Sequence, residues 1–98
     1  MKVSLEARNF SLTEAISAKV EKMVFKSLEK YSHIIVSVIV VMDFMRRRKS
    51  GQPSAEVKIK VEVPGPDLVA ENKHYDLYEA VDGALDKIVD QMQKKREK

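Results

Sequence analysis

Two rows of lysines are the residues best placed to do chemistry in this sequence. Lys19, Lys22, Lys26 and Lys30 follow one another at steps of three, four and four; Lys87, Gln91, Lys94 and Lys98 repeat at four, three and four. Steps of three and four put side chains on one line of a helix. Ammonium heads on such a line can meet successive phosphates of a nucleic-acid backbone, which positions the polyanion without reading its sequence. The same spacing can follow the minor-groove edges and phosphates of structured RNA. Two plainer roles stand beside this one. Lysines flanking an apolar stripe snorkel over the core rim, and a basic helix tail complements the helix dipole. A third basic element, Arg46-Arg47-Arg48-Lys49, offers accessory phosphate contacts or is a solvated charged loop.

Other chemistry finds little support. There is no Cys, and the two histidines, His33 and His74, fall in separate predicted loops without further ligands at metal-site spacing. The three glycines make no phosphate loop. Asp82, Asp86 and Asp90 recur every four residues and read as the solvated side of a helix rather than a carboxylate cluster. No catalytic residue, metal site, cofactor or small-molecule substrate is expected, so the chain does not read as an enzyme. Outward strand positions carry Ser, Ile, Val, Glu and Lys, which provide no stacking platform of the kind single-strand binders build on a sheet.

The elements that must position these lysines are legible from periodicity. Lys2 to Arg8 alternates, with Val3, Leu5 and Ala7 on one side, as a half-buried strand does. Ser11-Leu12-Thr13-Glu14 has the capping-box pattern, with Ser11 at N-cap and Glu14 at N3. A helix is predicted from about Leu12 to about Tyr31, with Leu12, Ile16, Val20, Met23, Val24, Leu28 and Tyr31 on its apolar face. Ile34 to Phe44 reads as a central strand, with Val36, Val38, Val40, Met42 and Phe44 turned toward the helices. Ala55 to Val63 alternates as a strand with one wet face, which favours antiparallel pairing. Pro64-Gly65-Pro66-Asp67 is a turn, and Leu68 to Lys73 a shorter strand. Asp76-Leu77-Tyr78-Glu79 caps a second helix that runs to near the end; its apolar face is Leu77, Val81, Ala84, Leu85, Ile88 and Met92. Gly83 inside it costs roughly 1 kcal/mol against Ala, so a close approach to a neighbouring element is expected there. The fold class is α+β, in the order β-α-β-β-β-α: a four-stranded sheet with two helices packed on one face.

Ninety-eight residues with 44% apolar content read as one domain, residues 1–98. The net charge of +3 is unevenly spread: residues 46–49 contribute +4 and residues 87–98 contribute +3, leaving −4 on the rest. Local potential governs the approach of a polyanion more than net charge does. The start has no uninterrupted apolar signal core, and the longest apolar run, Val38 to Met42, is too short for a bilayer. A cytoplasmic protein with no membrane partner is expected.

Several segments resemble a known family. Asp76-Leu77-Tyr78-Glu79-Ala80-Val81-Asp82 is similar to the Asp-Met-Tyr-x-Ala-Ile-Asp signature of bacterial ribosome hibernation-promoting factors and protein Y, also called the sigma-54 modulation family. Asp86-Lys87-Ile88 followed by Gln91, Lys94, Arg96 and Lys98 resembles that family's basic second helix. Asn9 with Leu12-Thr13-Glu14-Ala15-Ile16 resembles its Asn-x-x-Ile-Thr-Glu-Ala-Leu segment. Family members often carry Arg where Ser17 and Asp90 stand here.

The resemblance implies a non-enzymatic, ribosome-associated translation inhibitor. It would bind the small ribosomal subunit and its rRNA in the decoding region, where tRNA and mRNA would sit, and silence idle ribosomes under stress or in stationary phase. Carried over by position, the RNA-binding residues are Lys22, Lys26, Lys87, Gln91, Lys94, Lys95, Arg96 and Lys98. Lys19, Lys30, Arg46, Arg47, Arg48 and Lys49 are accessory candidates. Long members add a separate C-terminal dimerisation domain; this chain is expected to be of the short form, a monomer off the ribosome. Two alternatives remain open on the residues alone: a general double-stranded-RNA-binding module, and a protein-interaction regulator of the kind the sigma-54 name suggests.

Overall fold

In the computed structural model, residues 1–45 and 54–96 are described, Lys95 and Arg96 by their backbone alone. The chain runs β1 (Lys2–Arg8), α1 (Glu14–Leu28), β2 (Ser37–Met45), β3 (Ser54–Glu62), β4 (Leu68–His74) and α2 (Leu77–Arg96). This is the expected β-α-β-β-β-α order, and the strands lie side by side as β1-β2-β3-β4. β1 pairs parallel with β2, placing Val3, Leu5 and Ala7 beside Val38, Val40 and Met42. Parallel neighbours need a crossover, and α1 supplies it. The pairs β2–β3 and β3–β4 are antiparallel.

Alternation decides which face carries the helices. Val38, Val40 and Met42 of β2 and Ala55, Val57, Ile59 and Val61 of β3 are buried. They meet Val20, Val24 and Leu28 of α1 and Ala80, Val81, Ala84, Leu85, Ile88 and Met92 of α2, all buried in the same core. Burying each such aliphatic side chain contributes about 1.5–3 kcal/mol against leaving it in water. The opposite face stays wet and carries cross-strand ion pairs, Lys58–Glu71 at 3.8 Å and Lys73–Glu56 at 3.6 Å.

Three local readings need correction. The N-cap of α1 is Thr13, not Ser11: its hydroxyl accepts from the Ile16 N–H at 3.2 Å. Leu12 packs against the core ahead of the cap, and the chain leaves β1 through Asn9 at φ 63°. Its side chain donates to the Asp43 carboxylate at 3.0 Å. That long-range contact carries the chain past Ser11 before helical geometry begins. At the other end of α1 the α-helix stops at Leu28 and tightens into a 3₁₀ turn, Glu29–Tyr31. The second strand starts at Ser37 rather than Ile34, and Val36 is 62% exposed instead of facing the helices. Ile35, with Tyr31, fills that end of the core.

Candidate nucleic-acid interface

α1 presents its lysines on one flank of the buried stripe. Lys19, Lys22 and Lys26 of α1 are exposed, as is Lys30, which falls in the 3₁₀ turn after the helix rather than on it. Lys19 places its ammonium 4.0 Å from the ring centroid of Tyr78 on α2, so this flank faces the second helix. A cation–π contact at an exposed site is worth about 0.5–1 kcal/mol and leaves most of the charge available. The ion pairs among the described residues take up none of Lys22, Lys26 or Lys30.

The α2 row is used differently. α2 covers β3 and β4, and its Lys87 and Gln91 overhang the outer edge of β4. Lys87 Nζ donates to the Glu71 carbonyl at 2.6 Å, and Gln91 Nε2 donates to the Val69 carbonyl at 2.9 Å. An open edge strand is a template for unwanted pairing, and these two side chains occupy carbonyls of that edge. Lys94 pairs with Asp90, one turn earlier, at 3.2 Å. The side chains of Lys95 and Arg96, together with Arg46, Arg47, Arg48, Lys49 and Lys98, lie outside the described residues.

The register of α2 on the sheet has a local cause. Asp76 Oδ1 accepts from the Glu79 N–H at 3.0 Å, which is the predicted cap. His74 closes β4 rather than lying in a loop, and its Nδ1 accepts from the Asp76 N–H at 3.0 Å. Gly83 is the close approach expected from the sequence. A Cβ there would collide with the Asn72 side-chain amide of β4, which donates to the Ala80 carbonyl at 3.2 Å. Helix and edge strand are therefore held at fixed spacing, and Lys87 and Gln91 reach the strand because of it.

Both rows lie on the helix layer, but they do not face each other. The Tyr78 flank of α2 looks toward α1 and the Lys87 flank toward the β4 edge. Exposed Asp82, Asp86 and Asp90 form the ridge between them. A polyanion docking on α1 meets lysines that have no ionic partner among the described residues; one docking along α2 meets an acidic ridge and side chains already engaged.

A half-open cleft of about 780 Å³ sits where both helices begin, lined by Phe10, Thr13, Phe44, Tyr75, Asp76 and Tyr78 among others. Phe10 meets Phe44 edge-on at 6.2 Å, and Tyr75 is 67% exposed. The aromatic residues are not on the sheet face but at its end. In sequence, Phe10 and Tyr75 stand beside the turn and cap residues Asn9 and Asp76.

Comparison with known proteins bears on these surfaces. The model of the family described as Sigma 54 modulation protein / S30EA ribosomal protein matches residues 3–98. A ribosome hibernation promoting factor of Azotobacter vinelandii is 29% identical over 98 residues, which is 100% of this chain and 85% of that protein. The ribosome hibernation promotion factor of Deinococcus radiodurans is 30% identical over 90 residues, 92% of this chain and 46% of that longer relative. Among solved structures, the Thermus thermophilus Protein Y N-terminal domain superposes with a TM-score of 0.78 at 28% identity, over 96% of this chain and 98% of that one. A ribosomal subunit interface protein from Coxiella burnetii shares the fold over the whole of both chains, with a TM-score of 0.84 at 18% identity.

Proposed function

The chain belongs to the Sigma 54 modulation protein / S30EA ribosomal protein family, and from that premise we propose that it is a ribosome hibernation factor. It binds the small ribosomal subunit in the decoding region, excludes tRNA and mRNA, and silences idle ribosomes under stress or in stationary phase. It does so as a cytoplasmic monomer and without catalysing a reaction.

The observation that carries this reading is a coincidence of two facts. Relatives named as ribosome hibernation factors align along nearly all of the chain. The same chain exposes Lys22, Lys26 and Lys30 as a row that no carboxylate among the described residues pairs with. Each ammonium at a phosphate releases counterions, so a row of them gives affinity that falls steeply with salt. Lys87, Gln91 and Lys94 add contacts at the rim, after giving up or sharing their present partners. Lys95, Arg96 and Lys98 add further basic residues near the end of the sequence, and Lys19 and the tract 46–49 are accessory.

Co-sedimentation tests the proposal. The protein is expected to travel with purified small subunits and to be displaced by a tRNA–mRNA complex assembled on them. Equal affinity for an arbitrary RNA duplex, with no displacement, would favour a general double-stranded-RNA binder instead.

A further inference from the structure

We propose that the aromatic cleft at the start of both helices is a base-stacking pocket, which receives one unpaired nucleotide of the RNA that the α1 lysines hold. This inference deepens the ribosome-binding reading and rests on it for the RNA track.

Four rings from distant parts of the chain meet there: Phe10 after β1, Phe44 near the end of β2, Tyr75 between β4 and α2, and Tyr78 in the first turn of α2. Phe10 and Phe44 are half-buried and brace each other edge-on. Tyr75 is different. Its ring leans on the His74 imidazole, with centroids 4.3 Å apart and planes at 38°, yet it remains 67% exposed, the most exposed large apolar side chain among the described residues. A tyrosine held out from the surface but braced on one side is a ready stacking partner. Every nucleobase has a π-face to offer it.

The surroundings favour a base over other occupants. Tyr78 lines the cleft and carries the Lys19 ammonium on its ring, so the lysine row begins at the cleft's border. A backbone following Lys30, Lys26 and Lys22 arrives at Lys19 and can turn its last base inward. Asp76 lies in the cleft wall and repels a phosphate there, while its carboxylate can accept from an exocyclic amine. The Ser11 hydroxyl in the same wall can donate or accept. The size fits as well: about 780 Å³ is within the range of small-molecule sites, roughly 300–1,000 Å³.

The test uses the full chain and two RNA hairpins, one blunt and one with a single-stranded overhang of 2-aminopurine. The overhang is expected to bind about tenfold more tightly than the blunt end, since stacking on an aromatic ring typically contributes an effect of that order. Its fluorescence should be quenched on binding. Tyr75→Ala should remove both the preference and the quench and leave the salt slope unchanged; Tyr75→Trp should keep both. The exposure of Tyr75 makes both variants fold-compatible, which thermal unfolding verifies. Equal affinity for the two hairpins, or a quench that survives Tyr75→Ala, would overturn the pocket. Loss of small-subunit binding by Tyr75→Ala with no quench in wild type would also overturn it, and would assign the cleft to a protein side chain of the subunit. Small-subunit binding unaffected by Tyr75→Ala, with no quench, sinks the pocket and leaves the proposed function standing. A Tyr75-dependent quench in a chain that never travels with small subunits sinks the proposed function and leaves the pocket.

Discussion

The two lysine rows look alike in sequence and differ in what the fold does with them. Lys22 and Lys26 on α1 and Lys30 in the 3₁₀ turn that follows it are exposed, and no carboxylate among the described residues pairs with them. On α2, Lys87 and Gln91 are drawn to the carbonyls of β4, and Lys94 is paired with Asp90. Polar side chains at helical spacing are left without an ionic partner among the described residues in one place and are engaged by the sheet edge and a neighbouring carboxylate in the other. Spacing identifies a face; what lies beneath its rim decides its use.

Breaking the α1 row is expected to have the largest effect. Replacing Lys22, Lys26 and Lys30 together with Gln should lower small-subunit affinity at least tenfold near physiological salt. The slope of log K against log salt should flatten by roughly 2–3, at about 0.7–0.9 per lost phosphate contact. Unfolding by urea should show no comparable change, because surface substitutions away from special features stay within about 0.5 kcal/mol.

The next effect is on stability and belongs to the α2 side. Gly83→Ala gains roughly 1 kcal/mol of helix propensity but drives a methyl into the Asn72 amide and strains its bond to the Ala80 carbonyl. Overpacking of this kind costs about 1–3 kcal/mol. A net loss near 1 kcal/mol should lower the melting temperature by about 4–8 °C in a chain of this size. A melting temperature raised by about 4–8 °C would mean that the Asn72 side chain swings away without cost and only the helix-propensity gain remains.

A smaller effect separates the two roles within one residue. Lys87→Met keeps the apolar stem over the edge and removes the donor to the Glu71 carbonyl. Stability should fall by about 0.5–1.5 kcal/mol, the usual contribution of one hydrogen bond, while the salt slope for small-subunit binding changes by less than one contact. A full-contact change in slope with unaltered stability would reverse the assignment.

The smallest expected change sharpens the comparison from the other direction. Asp90→Asn frees Lys94 and removes one charge from the acidic ridge. Affinity should rise about two- to threefold at low salt and the gain should fade as salt screens the surface. Stability should move by no more than about 0.5 kcal/mol, as for other exposed i,i+4 pairs.

What the sequence made legible was whatever local geometry decides. Alternation located β1 and β3, the β-branched apolar run from Ile34 to Phe44 located most of β2, and the Asp76 cap was readable because an aspartate and an N–H three residues on are held together by the helix itself. Gly83 marked a tight approach because a glycine inside a helix needs a reason. The α1 cap was misread by two residues because Asn9 is held by Asp43, a partner 34 positions away. Both lysine rows could be placed on their helices, but not the side of α2 that overhangs β4, since that depends on which strands the helix covers. The aromatic cleft was invisible for the same reason: Phe10 and Tyr78 become neighbours only when the two helix starts are brought to one end of the sheet.

The most direct test of this account is the salt dependence of small-subunit binding for two variants measured side by side. One carries Lys22, Lys26 and Lys30 changed to Gln, the other Lys87, Gln91 and Lys94 changed to Ala. The first is predicted to lose most of the affinity and the larger part of the salt slope with its stability intact. The second is predicted to lose stability and keep most of the slope. Equal losses of slope in the two, or a larger loss in the second, would contradict the claim that the α1 row is the surface that holds the RNA.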